Sequence, residues 1–101
     1  MNDVIIIGGG VAAFSAALYA ARRGLNVLAI GKDLGGQANS SDVIENFPGI
    51  AEISGFDLVN KIKRQAEKFG AKFVVAEAER VKKIDRGFVV TAFGRQYKAL
   101  S

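Results

Sequence analysis

The sequence predicts an α/β fold, in which a parallel β-sheet with helices packed on it is followed by a C-terminal antiparallel β-hairpin or meander. Two observations support the parallel sheet. Residues 3–7 and 26–30 are strand-like runs that are apolar after their first residue, Asp3 or Asn26. They show no polar alternation, which is typical of strands buried on both faces. The segment between them is rich in alanine and reads as a helix. Together they form a βαβ unit, whose crossover is expected to be right-handed.

Two helices are predicted from composition and apolar spacing. The first runs from Val11 to Arg23, and Gly24 supplies its C-terminal stop. The second follows Ser54, which begins a capping pattern with Asp57. Its apolar residues recur at helical spacing as far as Phe69, which predicts a helix with one buried face.

Three more strands are predicted in the second half of the chain. One begins at Lys72 and is expected to continue to about Val81. Residues 88–93 and 96–100 are two further strand-like runs, which are expected to form a hairpin joined at Gly94-Arg95. The length of 101 residues suits one domain, residues 1–101.

The composition excludes several classes of chemistry. Half of the residues are apolar and 24% are charged, which is typical of a globular protein. The absence of cysteine excludes a disulfide scaffold, a thiolate zinc site, a catalytic cysteine and a CxxC redox pair. The absence of histidine excludes a Ser-His-Asp triad and most transition-metal sites. Any chemistry must therefore come from a bound cofactor, carboxylates, lysines or backbone amides. The sequence offers no carboxylate pair suited to acid–base catalysis, so we expect no catalytic side chain and no metal.

The charge pattern argues against two kinds of partner. The 14 basic and 10 acidic residues give a net charge of +4, but the basic residues are spread along the chain without interleaved aromatics. This pattern predicts no nucleic-acid partner. Residues 4–21 carry no charge, yet Gly8-Gly9-Gly10 interrupts them and no Lys or Arg precedes them. We therefore expect neither a membrane span nor a signal peptide. We expect the protein to be cytoplasmic.

The most informative motif is Gly8-x-Gly10-x-x-Ala13, which lies between the first strand and the first helix. In this pattern Gly8 allows the tight turn, Gly10 lets a pyrophosphate approach the backbone, and Ala13 keeps the helix near the strand. The amides of Val11 and Ala12 lie at the positive end of the helix and can donate to phosphate oxygens. In this context the motif predicts a Rossmann-like dinucleotide site.

The end of the second strand departs from the usual pattern. An acidic residue that binds the ribose is expected there, but the sequence has Gly31-Lys32. One interpretation is that Lys32 accepts a 2′-phosphate, which would indicate NADP. The other is that the adenosine is held mainly by the backbone and by residues of the long loop that extends from Gly31 to about Ile53.

Two motifs in that loop carry a family resemblance. They are Gly35-Gly36-Gln37 and Glu45-Asn46-Phe47-Pro48-Gly49. With residues 3–10 and 17–22, their order and spacing resemble the thioredoxin reductase family of FAD-dependent pyridine nucleotide–disulfide oxidoreductases, which includes the alkyl hydroperoxide reductase flavoprotein subunit. The resemblance covers essentially the whole chain, although it fades after Lys68.

The resemblance implies FAD as the cofactor, in a partial FAD/NAD(P)-binding domain. The residues implied at its pyrophosphate are Gly8, Gly10, Val11 and Ala12, with Ala13 beneath them. Three residues are implied along the adenosine, namely Ile30, Gly31 and Lys32. Members of this family often lack the acidic residue at the second strand's end, so Gly31 fits them better than it fits an NADP domain.

The remaining implied contacts come from the loop and the third strand. Gly35, Gly36 and Gln37 would wrap the ribityl and flavin side. Asn46 would hydrogen-bond near the isoalloxazine, since its amide carries both a donor and an acceptor. Ala78, expected at the end of the third strand, would offer backbone contacts to the adenine.

Whole members of the resembled family are longer than this chain. They carry a second nucleotide-binding domain for NADPH, a CxxC disulfide and a C-terminal segment that completes the FAD site. We therefore expect residues 1–101 to be one incomplete FAD-binding domain, which reaches NAD(P)H and a disulfide substrate only through parts absent here. An uncovered sheet edge is expected to invite a homo-oligomer or a partner chain. The alternatives are a stand-alone adenine-dinucleotide-binding module without catalysis and an NADP-binding Rossmann domain.

Overall fold

The computed structural model describes residues 1–32 and 42–101. Within them the chain forms a parallel sheet and an antiparallel sheet, each of three strands, together with two helices. The predicted α/β fold, with a parallel sheet followed by an antiparallel meander, is confirmed.

The parallel sheet carries the glycine motif at one of its edges. Its strands are β1 (Val4–Ile7), β2 (Val27–Gly31) and β3 (Lys72–Val75). The strand order is β1-β2-β3, so β2 is central. Ile7 pairs with Ile30, and Gly31 pairs with Val75. The carboxyl ends of all three strands therefore lie side by side, which is where ligands bind in open α/β sheets.

Both predicted helices are present, with ends within a residue of those predicted. They are α1 (Val11–Arg22) and α2 (Gly55–Lys68). Ala17 of α1 and Ala66 of α2 are completely buried in one cluster with Val27 of β2. Such small side chains allow the two helices to lie close to each other and to the sheet. Neither helix of the described residues is long and apolar enough to cross a membrane.

Serine starts the second helix as the capping pattern predicts. The Ser54 hydroxyl oxygen accepts a 3.1 Å hydrogen bond from the amide of Asp57. The reciprocal bond of a full capping box, from the Ser54 amide to the Asp57 carboxylate, is not formed between these two described residues. Only one of the two hydrogen bonds of a capping box is therefore present, and the aspartate side chain is shorter than the usual Glu or Gln.

The antiparallel sheet begins earlier than the sequence predicts. Its strands are β4 (Ala78–Ile84), β5 (Gly87–Ala92) and β6 (Arg95–Ala99), in that order across the sheet. The prediction of one strand from Lys72 to about Val81 is wrong, because β3 ends at Val75. The Ala76 amide then donates to the Gly31 carbonyl at 2.9 Å, which closes the parallel pairing. Ala78 therefore begins β4 and does not end the third strand.

The turn of the hairpin also differs by one residue. It consists of Phe93 and Gly94, while Arg95 already belongs to β6. Phe93 has φ +50° and Gly94 has φ +75°. Positive φ at both central residues is the requirement of the two-residue turn that matches the twist of a hairpin. That geometry places the turn one residue earlier than the Gly94-Arg95 position predicted.

The two sheets pack face to face over the central strand. Leu28 and Ile30 of β2 form a buried cluster with Val90 and Ala92 of β5. Ile30 is completely buried. The antiparallel sheet therefore covers one face of the parallel sheet, while the helices cluster with Val27 and Phe73 of that sheet.

The residues after β6 run along the outer edge of β1. The Asn2 amide donates to the Lys98 carbonyl at 3.0 Å, and the Leu100 amide donates to the Asn2 carbonyl at 3.2 Å. The Ile5 amide donates to the Ser101 carbonyl at 3.0 Å. The end of the chain thus pairs with β1 and the residues before it, from Asn2 to Ile5.

Candidate functional site

The glycine turn lies at the carboxyl edge of the parallel sheet, between β1 and α1. Gly8 has φ +150°, a conformation that residues with a side chain rarely adopt. Its amide donates a 2.8 Å hydrogen bond to the Ile30 carbonyl. A Cβ atom on Gly8 would lie 3.3 Å from the Cβ of Ala13. The turn therefore requires glycine at position 8 and a small residue at position 13, which explains the spacing of the motif.

The N-terminus of α1 has no side-chain cap in the described part of the chain. Gly10 is the N-cap, with extended backbone angles and no side chain to cap the helix. The first helical hydrogen bond runs from the Phe14 amide to the Gly10 carbonyl, at 3.1 Å. The amides of Val11, Ala12 and Ala13 donate to no acceptor among the described residues. No acidic residue lies in the first turn, so no carboxylate there competes with a ligand for these donors at the positive end of the helix.

The turn rests on Gly31 of β2. A Cβ atom at position 31 would lie 2.6 Å from the carbonyl oxygen of Gly8 and 2.8 Å from the Cα of Gly9. Such distances are shorter than any normal van der Waals contact. No side chain, acidic or otherwise, can occupy position 31 without a shift of the backbone. These contacts disfavour an acidic side chain at position 31 itself.

Six residues that line the site were not among the predicted site residues, and Phe14, Ala29 and Val74 are three of them. A small depression between the turn and the strand ends includes Gly9, Phe73 and Val75 in its lining. Phe73 packs at the base of this depression, in an edge-to-face contact with Phe14 whose ring centroid is 5.1 Å away. Val75 is 65% exposed at the strand end beside Gly31. The residues of β3 lie here because of the parallel register with β2, which the sequence does not show. Gly9 lies inside the glycine run, so the motif alone could have indicated this residue.

The other residues predicted near the adenosine have different surroundings. The Ile30 side chain belongs to the core, so only its backbone faces the turn. Lys32 is exposed directly after β2. Ala78 is half-buried at the start of β4 and pairs with Ala92. The short connection after β3 keeps Ala78 near the sheet edge, because Ala76 is bonded to Gly31.

The loop residues predicted for the flavin side are only partly described. Gly35, Gly36 and Gln37 lie outside the described residues. Asn46 is exposed. Its neighbours Ile44 and Phe47 pack against the buried cluster that contains Phe14. The structure therefore anchors the backbone on both sides of Asn46 to α1 and α2 while leaving its amide accessible.

The segment around Asn46 is held by backbone hydrogen bonds as well. The Ile44 amide donates to the Ile53 carbonyl at 2.6 Å, and the Ile53 amide returns a 3.0 Å bond to the Ile44 carbonyl. The Ile50 amide donates to the Phe47 carbonyl at 3.1 Å and closes a turn over Pro48. These bonds hold the loop just before the start of α2.

The described residues of the site offer binding groups from the backbone. In the part of the chain that the structure describes, no polar or charged side chain is buried. No group of three or more Asp or Glu side chains in that part is placed to hold a metal. The groups at the turn are backbone donors and glycine surfaces. Such an arrangement can bind and orient a phosphate-bearing ligand.

The family follows from a match over nearly the whole chain. The model of the pyridine nucleotide-disulphide oxidoreductase family matches residues 2–98. The chain belongs to this family. The glycine turn described above therefore lies in a pyridine nucleotide-disulphide oxidoreductase domain, and the resemblance predicted from the motifs is confirmed.

Individual relatives within the family are thioredoxin reductases. The chain is 45% identical over 101 residues to the thioredoxin reductase of Treponema pallidum, covering 98% of this chain and 33% of the relative. It is 40% identical over 98 residues to that of Bacillus subtilis, covering 96% of this chain and 31% of the relative. The chain therefore spans about a third of the length of these relatives.

Solved thioredoxin reductases share the fold. The enzyme of Lactococcus lactis in its FR conformation superimposes with a TM-score of 0.93 at 28% identity, covering 100% of this chain and 34% of that one. The enzyme of Streptococcus pyogenes gives 0.92 at 37% identity, covering 98% and 33%. The chain is thus a thioredoxin-reductase-like domain of the pyridine nucleotide-disulphide oxidoreductase family.

Proposed function

We propose that this chain binds FAD and forms part of a thioredoxin-reductase-like flavoprotein oxidoreductase, with residues 1–101 contributing one incomplete FAD-binding domain. The observation that supports the proposal most strongly is the set of amides at the start of α1 that donate to no acceptor among residues 1–32 and 42–101. They lie directly above a turn whose geometry excludes side chains at positions 8 and 31. A pyrophosphate needs both hydrogen-bond donors and close approach to the backbone.

The pyrophosphate would bind at Gly8, Gly10, Val11 and Ala12. The backbone amides of Val11 and Ala12 would donate to its oxygens at the positive end of the helix. Gly10 has no side chain that would compete for these donors. The buried Ala13 side chain would contribute close packing of α1, while its backbone amide would join the donors at the start of the helix.

The adenosine would extend across the carboxyl end of β2. Ile30 and Gly31 would offer backbone and an open surface, and the exposed Lys32 would lie beside the ribose. Ala78 would contribute backbone groups near the adenine. Ala78 is half-buried at the start of β4, close to the edge of the parallel sheet, and this position supports that role.

The flavin would lie toward the loop. Gly35, Gly36 and Gln37 would wrap the ribityl side, and Asn46 would hydrogen-bond near the isoalloxazine. The exposed amide of Asn46, carried on an anchored backbone, supports this assignment. FAD supplies hydride and electron transfer when bound, while the protein supplies position and electrostatics.

We do not expect this chain to complete a disulfide reduction by itself. It contains no cysteine and therefore no CxxC pair. NAD(P)H and a disulfide substrate would meet the flavin only through parts outside this sequence. The alternative is a stand-alone binding module without catalysis. An assay of electron transfer from NADPH to a dye, with the chain mixed with candidate partner domains, distinguishes this module from part of an oxidoreductase.

The binding test is a titration of the purified chain with FAD, followed by the quenching of flavin fluorescence. We expect saturable binding and a flavin absorption band that remains after gel filtration. FMN, which lacks the adenosine and its phosphate, is expected to bind more weakly because it cannot span the α1 amides and β2. A colourless protein that binds no added FAD, yet binds NADPH, would contradict the proposal.

An NADP site is the second candidate, because Lys32 is exposed at the strand end where a 2′-phosphate would lie. If that reading holds, Lys32→Ala should reduce NADPH affinity and leave NADH affinity unchanged. The control is Lys61→Ala, an exposed lysine on α2. If FAD is the ligand, Lys32→Ala should change FAD affinity far less than a substitution at the glycine turn.

A partner is proposed for the cleft at the outer side of β1. The cleft has a volume of about 250 Å³, and its lining includes Ile5, Ile7, Val81, Phe88 and Val90. Its apolar surface supports contact with a second copy or another chain. Sedimentation velocity should show association that grows with concentration, whereas a monomer at every concentration would contradict it.

A cytoplasmic location is also proposed, and fractionation of the source cells tests it.

A further inference from the structure

We propose that Gly31 is a positioning residue for the glycine turn, and that the absence of a side chain at position 31 sets the place of the amides that bind the dinucleotide. The inference rests on the proposed FAD site but assigns Gly31 a role beyond contact with the adenosine. Its basis is steric. A Cβ at position 31 would lie 2.6 Å from the Gly8 carbonyl oxygen and 2.7 Å from the Gly8 carbonyl carbon.

The strand cannot yield to relieve that contact. Gly31 belongs to the central strand β2, whose residues from Val27 to Ile30 are buried. Its carbonyl accepts the 2.9 Å hydrogen bond of the Ala76 amide, and it pairs with Val75 of β3. Movement of residue 31 would therefore break sheet pairing and disturb the packing between the sheets.

The turn is the part that would move instead. It is held to β2 through one hydrogen bond, from the Gly8 amide to the Ile30 carbonyl, which lies immediately before residue 31. A side chain at 31 would push Gly8 and Gly9 away from the sheet and lengthen this bond. The amides of Val11 and Ala12 follow Gly10 directly, so their positions would shift with the turn.

The consequence for specificity is that position 31 cannot carry the acidic residue that binds ribose in other dinucleotide sites. An aspartate there would first displace the pyrophosphate donors before it reached any hydroxyl. Gly31→Asp should thus weaken FAD binding and should not create NAD binding. In a site with room for a Cβ, the same change would favour NAD.

The first test compares Gly31→Ala with Gly24→Ala. Gly24 ends α1 with φ +81°, and a Cβ there would meet no atom within 4 Å, so its substitution costs backbone strain without contact with the turn. In ligand-free ¹⁵N-labelled protein, we expect the amide signals of Gly8 to Val11 to shift in Gly31→Ala and to stay in place in Gly24→Ala. This readout requires no ligand.

The second test measures affinity in the folded protein. Gly31→Ala should raise the dissociation constant for FAD by about tenfold or more, since a displacement on the order of 1 Å in a binding group is costly. Gly31→Ser should lose about as much, because the Cβ alone makes the contact. Gly24→Ala should retain the affinity of the wild-type chain.

The outcomes separate this inference from the proposed function. A wild-type chain that binds no FAD would contradict the proposed function, while the turn signals would still decide the role of Gly31. Unmoved turn signals, or unchanged FAD affinity in a folded Gly31→Ala chain, would overturn the inference. A Gly31→Ala chain that cannot fold would also overturn it, since the role proposed is on the turn and not on the sheet.

Discussion

The amide of Gly8 donates a 2.8 Å hydrogen bond to the carbonyl of Ile30, and this bond joins the glycine turn to the central strand of the parallel sheet. Ile30 is completely buried between the two sheets, so the acceptor is fixed by the core. The start of α1 is therefore positioned by the packing of the sheets.

Replacement of Gly8 should affect stability and binding together. Gly8→Ala places a side chain at φ +150° and 3.3 Å from the Ala13 Cβ. Strain of this kind costs about 1–3 kcal/mol, which urea denaturation would measure as a lower free energy of unfolding. FAD affinity should fall as well, because the turn moves. Full retention of both properties in Gly8→Ala would show that the turn tolerates a side chain.

The aromatic pair beneath the site should be important for stability. Phe14 is 1% exposed and meets Phe73 edge to face. Phe14→Ala should lower the free energy of unfolding by about 3–5 kcal/mol, because it leaves a cavity between α1 and the sheet. The control is Phe56→Ala on α2, whose side chain is 64% exposed and should change stability little. Equal losses in the two variants would argue against this packing.

Substitution of Asn46 should affect binding without affecting stability. Asn46 is exposed, and its side-chain amide forms no hydrogen bond with the described residues. Asn46→Ala should leave the melting temperature unchanged and weaken FAD binding severalfold, as measured by fluorescence titration. Asp42→Ala, at another exposed position of the same segment, should do neither. Wild-type affinity in Asn46→Ala would remove this residue from the proposed site.

The cap of α2 should contribute modestly to stability. Ser54→Ala removes the acceptor of the 3.1 Å bond from the Asp57 amide. The expected loss is about 1 kcal/mol in the free energy of unfolding, and Ser54→Asp should restore most of it because aspartate also caps helices. FAD affinity should not change in either variant. A stability loss that Ser54→Asp does not recover would point to a role other than capping.

Much of the fold follows from local patterns. The buried runs, the glycine turn and the apolar spacing of α2 each carry a clear period or a stop signal, and the elements appear where those signals are. The end of β3 was not predictable in this way. Ala76 and Glu77 carry no turn signal, and the break depends on the bond from Ala76 to Gly31, which exists only in the assembled sheet.

The site was predictable to a similar depth. The motif indicated Gly8, Gly10 and Ala13, since each role is a local steric requirement. The contributions of Phe73 and Val75 depend on the register of β3 beside β2, which the sequence does not reveal. The steric reason for glycine at position 31 likewise requires the turn and the strand to be brought together.

The amides at the start of α1 are the groups proposed to bind the pyrophosphate of FAD. The most direct measurement is a titration of the ¹⁵N-labelled chain with FAD, with the amide signals of Val11, Ala12 and Ala13 followed individually. The account predicts saturable shifts of these three signals at the same FAD concentrations that quench flavin fluorescence. FAD binding that leaves these signals unmoved, or no binding at all, would contradict it.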